Sequence, residues 1–256
     1  MPLNASGAIS IGGSTTGESV NLELNLAASY TSSLNDAAFR TLAAVPSGAI
    51  SLSNFYGKSN LQLSYVTYAT TTSQTITIPA SSQVGDIAVY VNRSMGIVTT
   101  PSTVVPSGWT SVSNVTATYT RSIIAYKILV TGNPGSSITV MNDTYDSTVM
   151  FIFRPTTTIT SLSYASLNGQ GVDTDPTAQT VTAQSTPYIV VGACGSTATC
   201  TFNSSWPTAT QIINSTSCYV RLGYYIFNSN SSDVTVDMGD ANSRNILQSF
   251  ALIPVL

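Results

Sequence analysis

The strongest constraint on the fold is that the chain repeats itself. Leu63-Ser64-Tyr65 recurs as Leu162-Ser163-Tyr164, and Gln74-Thr75-Ile76-Thr77 as Gln179-Thr180-Val181-Thr182. Ile87-Ala88-Val89-Tyr90-Val91 corresponds to Tyr188-Ile189-Val190-Val191-Gly192, and Trp109 to Trp206, the two tryptophans of the chain. Ile124–Ile128 matches Gly223–Phe227, Ile138-Thr139-Val140 matches Val234-Thr235-Val236, and Phe151–Pro155 matches Phe250–Pro254. The matches keep their order at an offset of about one hundred residues, the mark of a duplicated unit.

Each copy holds about seven short strand-like runs, split by turn chemistry such as Gly132-Asn133-Pro134-Gly135 and Asn168-Gly169-Gln170-Gly171. That is the arithmetic of a β-sandwich. Ile87–Val91 and Met150–Phe153 are apolar at nearly every position, so these strands bury both faces. The two copies facing each other as one large sandwich would supply that cover. Residues 154–160 contain no glycine and join the copies closely.

Residues 1–60 have a different texture. Ile9-Ser10-Ile11 and then Val20, Leu22, Leu24 and Leu26 alternate with polar residues, which predicts short half-buried strands. A helix is expected over residues 33–45, capped by Ser33 or Asn35, with Leu34, Ala38, Leu42 and Val45 on one face and Pro46-Ser47-Gly48 stopping it. Ser51 or Ser53 caps a further helical turn that ends at Gly57, which suits a left-handed backbone. So little apolar mass seldom folds stably alone, and this part is expected to complete its core against another chain or the domain behind it.

Composition decides which chemistry is open. Eight Lys and Arg, eleven Asp and Glu, and no His give a net charge of −3, with only 7% of residues charged. The basic footprint that nucleic acid needs is missing. Without His there is no Ser-His-Asp triad and no His-bound zinc. With 43% hydrophobic residues, disorder is not expected. A Ser–Lys pair would need Lys58, beside a helix end, or Lys127, in an alternating strand.

The carboxylates gather loosely: Asp143 with Asp146, Asp173 with Asp175, and Asp233 with Asp237 and Asp240. Asp-rich turns explain them better than a glycosidase pair. Asp173-Thr174-Asp175 and Asp237-Met238-Gly239-Asp240 could offer calcium oxygens but match no calcium-loop pattern. Gly12-Gly13-Ser14-Thr15-Thr16-Gly17 lacks the Lys of a phosphate loop and reads as a turn. No catalytic residue, metal site or cofactor is therefore expected, and the chain is read as a non-enzyme.

Cys194 and Cys200 could pair across a tight hairpin, but with Cys218 the total is odd, which favours buried thiols. Met1-Pro2-Leu3-Asn4-Ala5-Ser6 has neither a cationic start nor an apolar core, so no export signal is expected. No apolar run approaches the ~18 residues of a membrane helix, so membrane insertion is not expected.

The 13 Tyr, 7 Phe and 2 Trp sit among Asn, Ser and Thr. Most fit strands that half-bury their rings. Exposed ones could stack on sugar rings, and Tyr119, Tyr145 and Tyr219 are the candidates for contact with a host-surface glycan. A β-rich chain with so few charged edge guards would aggregate unless neighbours covered its edges, which points to life in an assembly and to a homo-oligomer.

The stretch Ser33-Leu34-Asn35-Asp36-Ala37-Ala38-Phe39-Arg40-Thr41-Leu42, followed by residues 46–59 (PSGAISLSNFYGKS), resembles a segment near the N-terminus of structural proteins of tailed bacteriophages. Pro106-Ser107-Gly108-Trp109 and residues 245–250 (NILQSF) likewise resemble phage β-sandwich modules. The resemblance implies a virion protein, made in the host cytoplasm, of the tail-fibre or baseplate kind. Its partners would be other virion structural proteins. Capsid cement or decoration protein is the alternative, and a glycan-degrading tail enzyme the second.

The expected fold is mainly β, with a small mixed α/β N-terminal anchoring unit followed by a duplicated antiparallel β-sandwich. The expected divisions are 1–60 for virion attachment, 61–155 for the first repeat and 156–256 for the second, the two repeats forming either one domain or two. Leu34, Phe39, Leu42, Ile50, Leu52, Phe55 and Tyr56 are the expected apolar contacts of the anchor.

Overall fold

A computed structural model of the chain describes residues 3–58, 60–95, 105–117, 120–140, 145–172, 177–185, 187–196, 211–215, 218–228, 232–237 and 245–256. The chain divides into two compact units. Unit 1 is Met1–Gln62 with Thr156–Thr158 and Leu256, and unit 2 is Leu63–Pro155 with Ile159–Val255.

Unit 1 contains helices α1 (Val20–Glu23) and α2 (Ala37–Ala43) and a 3-10 turn at Leu52–Phe55. The strands expected from the alternation are replaced by α1 and one parallel bridge, Ser10 to Ser19. The reason lies in the polar half of the pattern. Ser19 accepts from the Leu22 N–H and caps a helical turn. Asn21 is fully buried: its Nδ2 donates to Tyr30 O at 2.8 Å and its Oδ1 accepts from Ser32 Oγ at 2.6 Å. Glu23 accepts from the Asn60 N–H at 2.7 Å. Side chains that a half-buried strand would turn to water instead satisfy backbone groups inside.

Helix α2 begins later than expected, with Asp36 at its cap position and the Asp36 carboxylate accepting from the Ser33 N–H at 2.9 Å. Its inward face is Phe39, Leu42 and Ala43, while Ala38 is exposed. After Ala44 turns left-handed, Arg40 pins the following turn by donating to Val45 O and Gly48 O, each at 3.1 Å. Ser51 precedes the 3-10 turn and its N–H donates to Asn54 Oδ1, and Gly57 takes the left-handed φ of +67° that ends it. Leu3, Val20, Phe39, Leu42, Ala43 and Phe55 close a core within this unit, with Phe39 edge-on to Phe55 at 5.9 Å.

Unit 2 is the duplicated β fold. Copy 1 runs β1 (Leu63–Thr71), β2 (Thr75–Thr77), β3 (Ile87–Met95), β4 (Thr110–Ala117), β5 (Thr120–Ile128), β6 (Ser137–Thr139) and β7 (Tyr145–Pro155). Copy 2 runs β8 (Ser161–Val172), β9 (Gln179–Val181), β10 (Tyr188–Ser196), β11 (Gln211–Ser215), β12 (Cys218–Phe227), β13 (Val234–Val236) and β14 (Asn245–Val255). Each copy makes a five-stranded antiparallel sheet, in the order β1-β7-β3-β5-β4 and β8-β14-β10-β12-β11, plus a two-stranded ribbon, β2-β6 and β9-β13. The two orders are identical under the repeat, and each first strand carries one register break, between Tyr65 and Thr67 in β1 and between Ala165 and Asn168 in β8.

Each large sheet is covered twice. On one face of the copy 1 sheet, Ala88, Tyr90, Ile123, Ala125, Met150 and Ile152 pack with Ile76, Ile78, Val140 and Trp109. In copy 2, Val181 packs with Tyr188, Val190, Phe227 and Ala251, and the half-buried Val234 packs against them. The alternate residues Ile87, Val89 and Val91, all fully buried, turn to the opposite face, where the two large sheets meet. There Tyr224 of β12 lies edge-on to Phe151 at 5.2 Å and to Phe153 at 5.1 Å, and stacks on Tyr65 at 5.0 Å. This double burial is why the β3 run is apolar at consecutive positions.

Candidate functional site

The seven expected anchor residues do not share one environment. Phe39, Leu42 and Phe55 are buried in the core of unit 1, and Leu34 and Ile50 pack half-buried against it. The burial of Phe39, Leu42 and Phe55 gives the unit a core of its own. Leu52 and Tyr56 remain exposed, and the Tyr56 hydroxyl donates to Gly7 O at 2.6 Å. Tyr30, 53% exposed, is a further large apolar group at the surface of this unit. Sequence reasoning passed over it because it lies outside any periodic run.

In unit 2 the apolar character of the large sheets gives way at one pole. There β3 ends where β5 and β7 begin, Met95 standing opposite Thr120 and Tyr145. Asn92, Arg93, Ser94, Thr120, Ser122, Ser147 and Thr148 are all buried at this end. From copy 2, Gln248 reaches across: its Nε2 donates to Ser113 Oγ at 2.7 Å and its Oε1 accepts from Ser122 Oγ at 2.6 Å. Buried polar groups paired this way fix register as well as contributing stability. The break from Val91 to Asn92-Arg93-Ser94 was visible in the sequence as the end of an apolar run. Nothing in the pattern showed that these polar side chains stay inside.

Of the glycan candidates, Tyr119 lies outside the described residues. Tyr145 opens β7 and Tyr219 lies near the start of β12, both at this same pole, but their side chains are not among those described. The exposed tyrosines of unit 2 include Tyr68 and Tyr164, on the edge strands β1 and β8. Burial and the neighbouring Tyr224 and Tyr68 push Tyr65 up to about 12.

Several carboxylates are tied to structural work. Asp86, 2% exposed, accepts from Arg154 Nε and Nη2 at 2.8 Å each, and from the Gln83 N–H. Asp233 accepts from the Ala183 N–H at 2.8 Å. Asp143, Asp173, Asp175 and Asp240 lie outside the described residues, as does the Asp146 side chain. Among the described residues no group of three or more His, Cys, Asp or Glu could hold a metal ion. Cys194 is buried in β10. No helix among the described residues is long and apolar enough to cross a membrane.

No family model, curated protein or solved structure matches this chain.

Proposed function

We propose that this chain is a structural component of a tailed-phage virion, a tail-fibre or baseplate protein that works by attachment and not by catalysis. Unit 1 attaches it to other virion proteins, and unit 2 is the part offered to the host surface, a glycan being the ligand class its tyrosines suit. The observation that carries this reading is the placement of the stretch that resembles the phage segment. Residues 33–58 lie wholly within unit 1, apart from the β copies, and leave Leu52 and Tyr56 at its surface.

The attachment is burial of that apolar surface, worth roughly 25 cal/mol per Å² before association costs. A patch this small holds firmly only when several copies bind together. The engagement of Asp86 and Asp233 in structural bonds supports a passive role.

The test is incorporation. Particles assembled with wild type or with a Leu52→Asp/Tyr56→Asp double variant are purified, and the chain is counted per particle by quantitative mass spectrometry. Incorporation of the variant is expected to drop about tenfold or more. Equal incorporation would remove Leu52 and Tyr56 from the attachment surface, and absence of the wild-type chain from particles would refute the virion role. A count in the hundreds would favour capsid cement over a fibre.

A further inference from the structure

Along β3, Ala88 and Tyr90 point into the apolar core beneath the β2-β6 ribbon. The next two residues on that face are Asn92 and Ser94, each fully buried. Asn92 uses its amide nitrogen well: Nδ2 donates to Thr148 Oγ1 at 3.1 Å and, more weakly, to Ser147 O at 3.5 Å. Asn92 Oδ1 and Ser94 Oγ have no hydrogen-bond partner among the described residues. Folded proteins leave few such atoms bare, because each has given up water and gained nothing for it.

We propose that a single water molecule is held between Asn92 Oδ1 and Ser94 Oγ as a fixed part of unit 2. The chemistry of the two atoms selects the ligand. Asn92 Oδ1 only accepts, so the ligand must bring a hydrogen or a positive charge, while Ser94 Oγ can give or accept. Both residues are fully buried, so the ligand lies inside the fold and is small.

The two oxygens are neutral, and a buried cation needs opposite charge to offset its lost water. Arg121, opposite Ser94 on β5 and fixed by its bond from Nε to Asn114 Oδ1 at 2.7 Å, brings the wrong sign. Thr148, opposite Asn92 on the same face, offers a third oxygen, and buried waters make about three bonds.

A high-resolution crystal structure of the full chain is expected to show one peak about 2.7–3.2 Å from both atoms. An empty space, or protein groups bonded to both atoms, overturns the proposal. So does a peak at about 2.3–2.6 Å together with a melting temperature raised by added calcium, which would mark a cation. Ser94→Ala gives an independent answer by its sign. If the water is there, the variant removes one of its partners and the melting temperature falls by about 2–4 °C. If Ser94 Oγ is bare, the variant removes an unsatisfied group, and an unchanged or raised melting temperature overturns the proposal.

Discussion

The two copies of unit 2 share one strand order but hold each other by different chemistry. At the start of β1, the Leu63 N–H donates to Asn228 Oδ1 at 2.7 Å and its C=O accepts from Asn228 Nδ2 at 2.9 Å. At the matching start of β8, the Leu162 C=O accepts from the Tyr126 hydroxyl at 3.1 Å. In each case a side chain of one copy serves the outermost strand of the other. The seams differ in closeness too. Gly169 of β8 runs so near β4 that an added Cβ would lie 2.6 Å from Val115 Cγ2. Backbone order is the conserved solution, because every outer strand needs its polar groups satisfied, whereas the side chain that does it is free to differ.

The sharpest way to break this comparison is to empty the face that both copies use. Phe151→Ala should cost about 3–5 kcal/mol in urea unfolding, since Phe151 is 1% exposed and touches Tyr224 of the other copy. A single shifted transition is expected, and two separate transitions would show that the copies fold independently. Gln248→Leu should cost about 2–3 kcal/mol by the same measurement, because it strips the partners from Ser113 and Ser122 at once.

Asn228→Ala and Tyr126→Phe probe the two latches separately. Each should cost about 1 kcal/mol, with the first larger because it removes two bonds and not one. The reverse order would mean that the Tyr126 side is the stronger clasp.

The smallest effect is with alkali. Folding raises Tyr65 from 10.0 to about 12, chiefly by burial and then by the neighbouring Tyr224 and Tyr68. The folded chain therefore keeps a proton that the unfolded chain releases, and stability is full below pH 10 and declines as pH rises towards 12. Melting curves from pH 9 to 12 should show this decline, and Tyr65→Phe should make it shallower. Tyr90, also raised by burial, adds to the same trend in both proteins.

The duplicated region was far more legible in the sequence than the N-terminal one, and the cause is physical. In β3, consecutive apolar residues from Ile87 to Val91 admit little besides a strand covered on both sides, and the ordered echoes in copy 2 repeat the message. In unit 1, the alternation of Val20, Leu22, Leu24 and Leu26 suggested a strand face, but Asn21 and Glu23 between them are buried too. A period-two pattern carries information only if the polar residues go outside, and here hydrogen bonds to Tyr30, Ser32 and Asn60 keep them in. The sorting of the anchor candidates into buried and exposed was illegible for a related reason. Apolarity marks Phe39 and Phe55 as residues that leave water without saying whether the cover comes from their own chain or from another. The buried Asn92, Ser122 and Gln248 could not be read at all, since polarity alone predicts exposure.

The return of Thr156 to unit 1 sets an order of events during synthesis. The Gln62 N–H donates to Thr156 Oγ1, the Thr156 N–H donates to Gln62 O, and Thr156 Oγ1 donates to Asn60 O. A nascent chain cannot make these bonds until the whole of the first copy has left the ribosome. Residues 60–62 therefore gain these partners only after the strands behind them are translated.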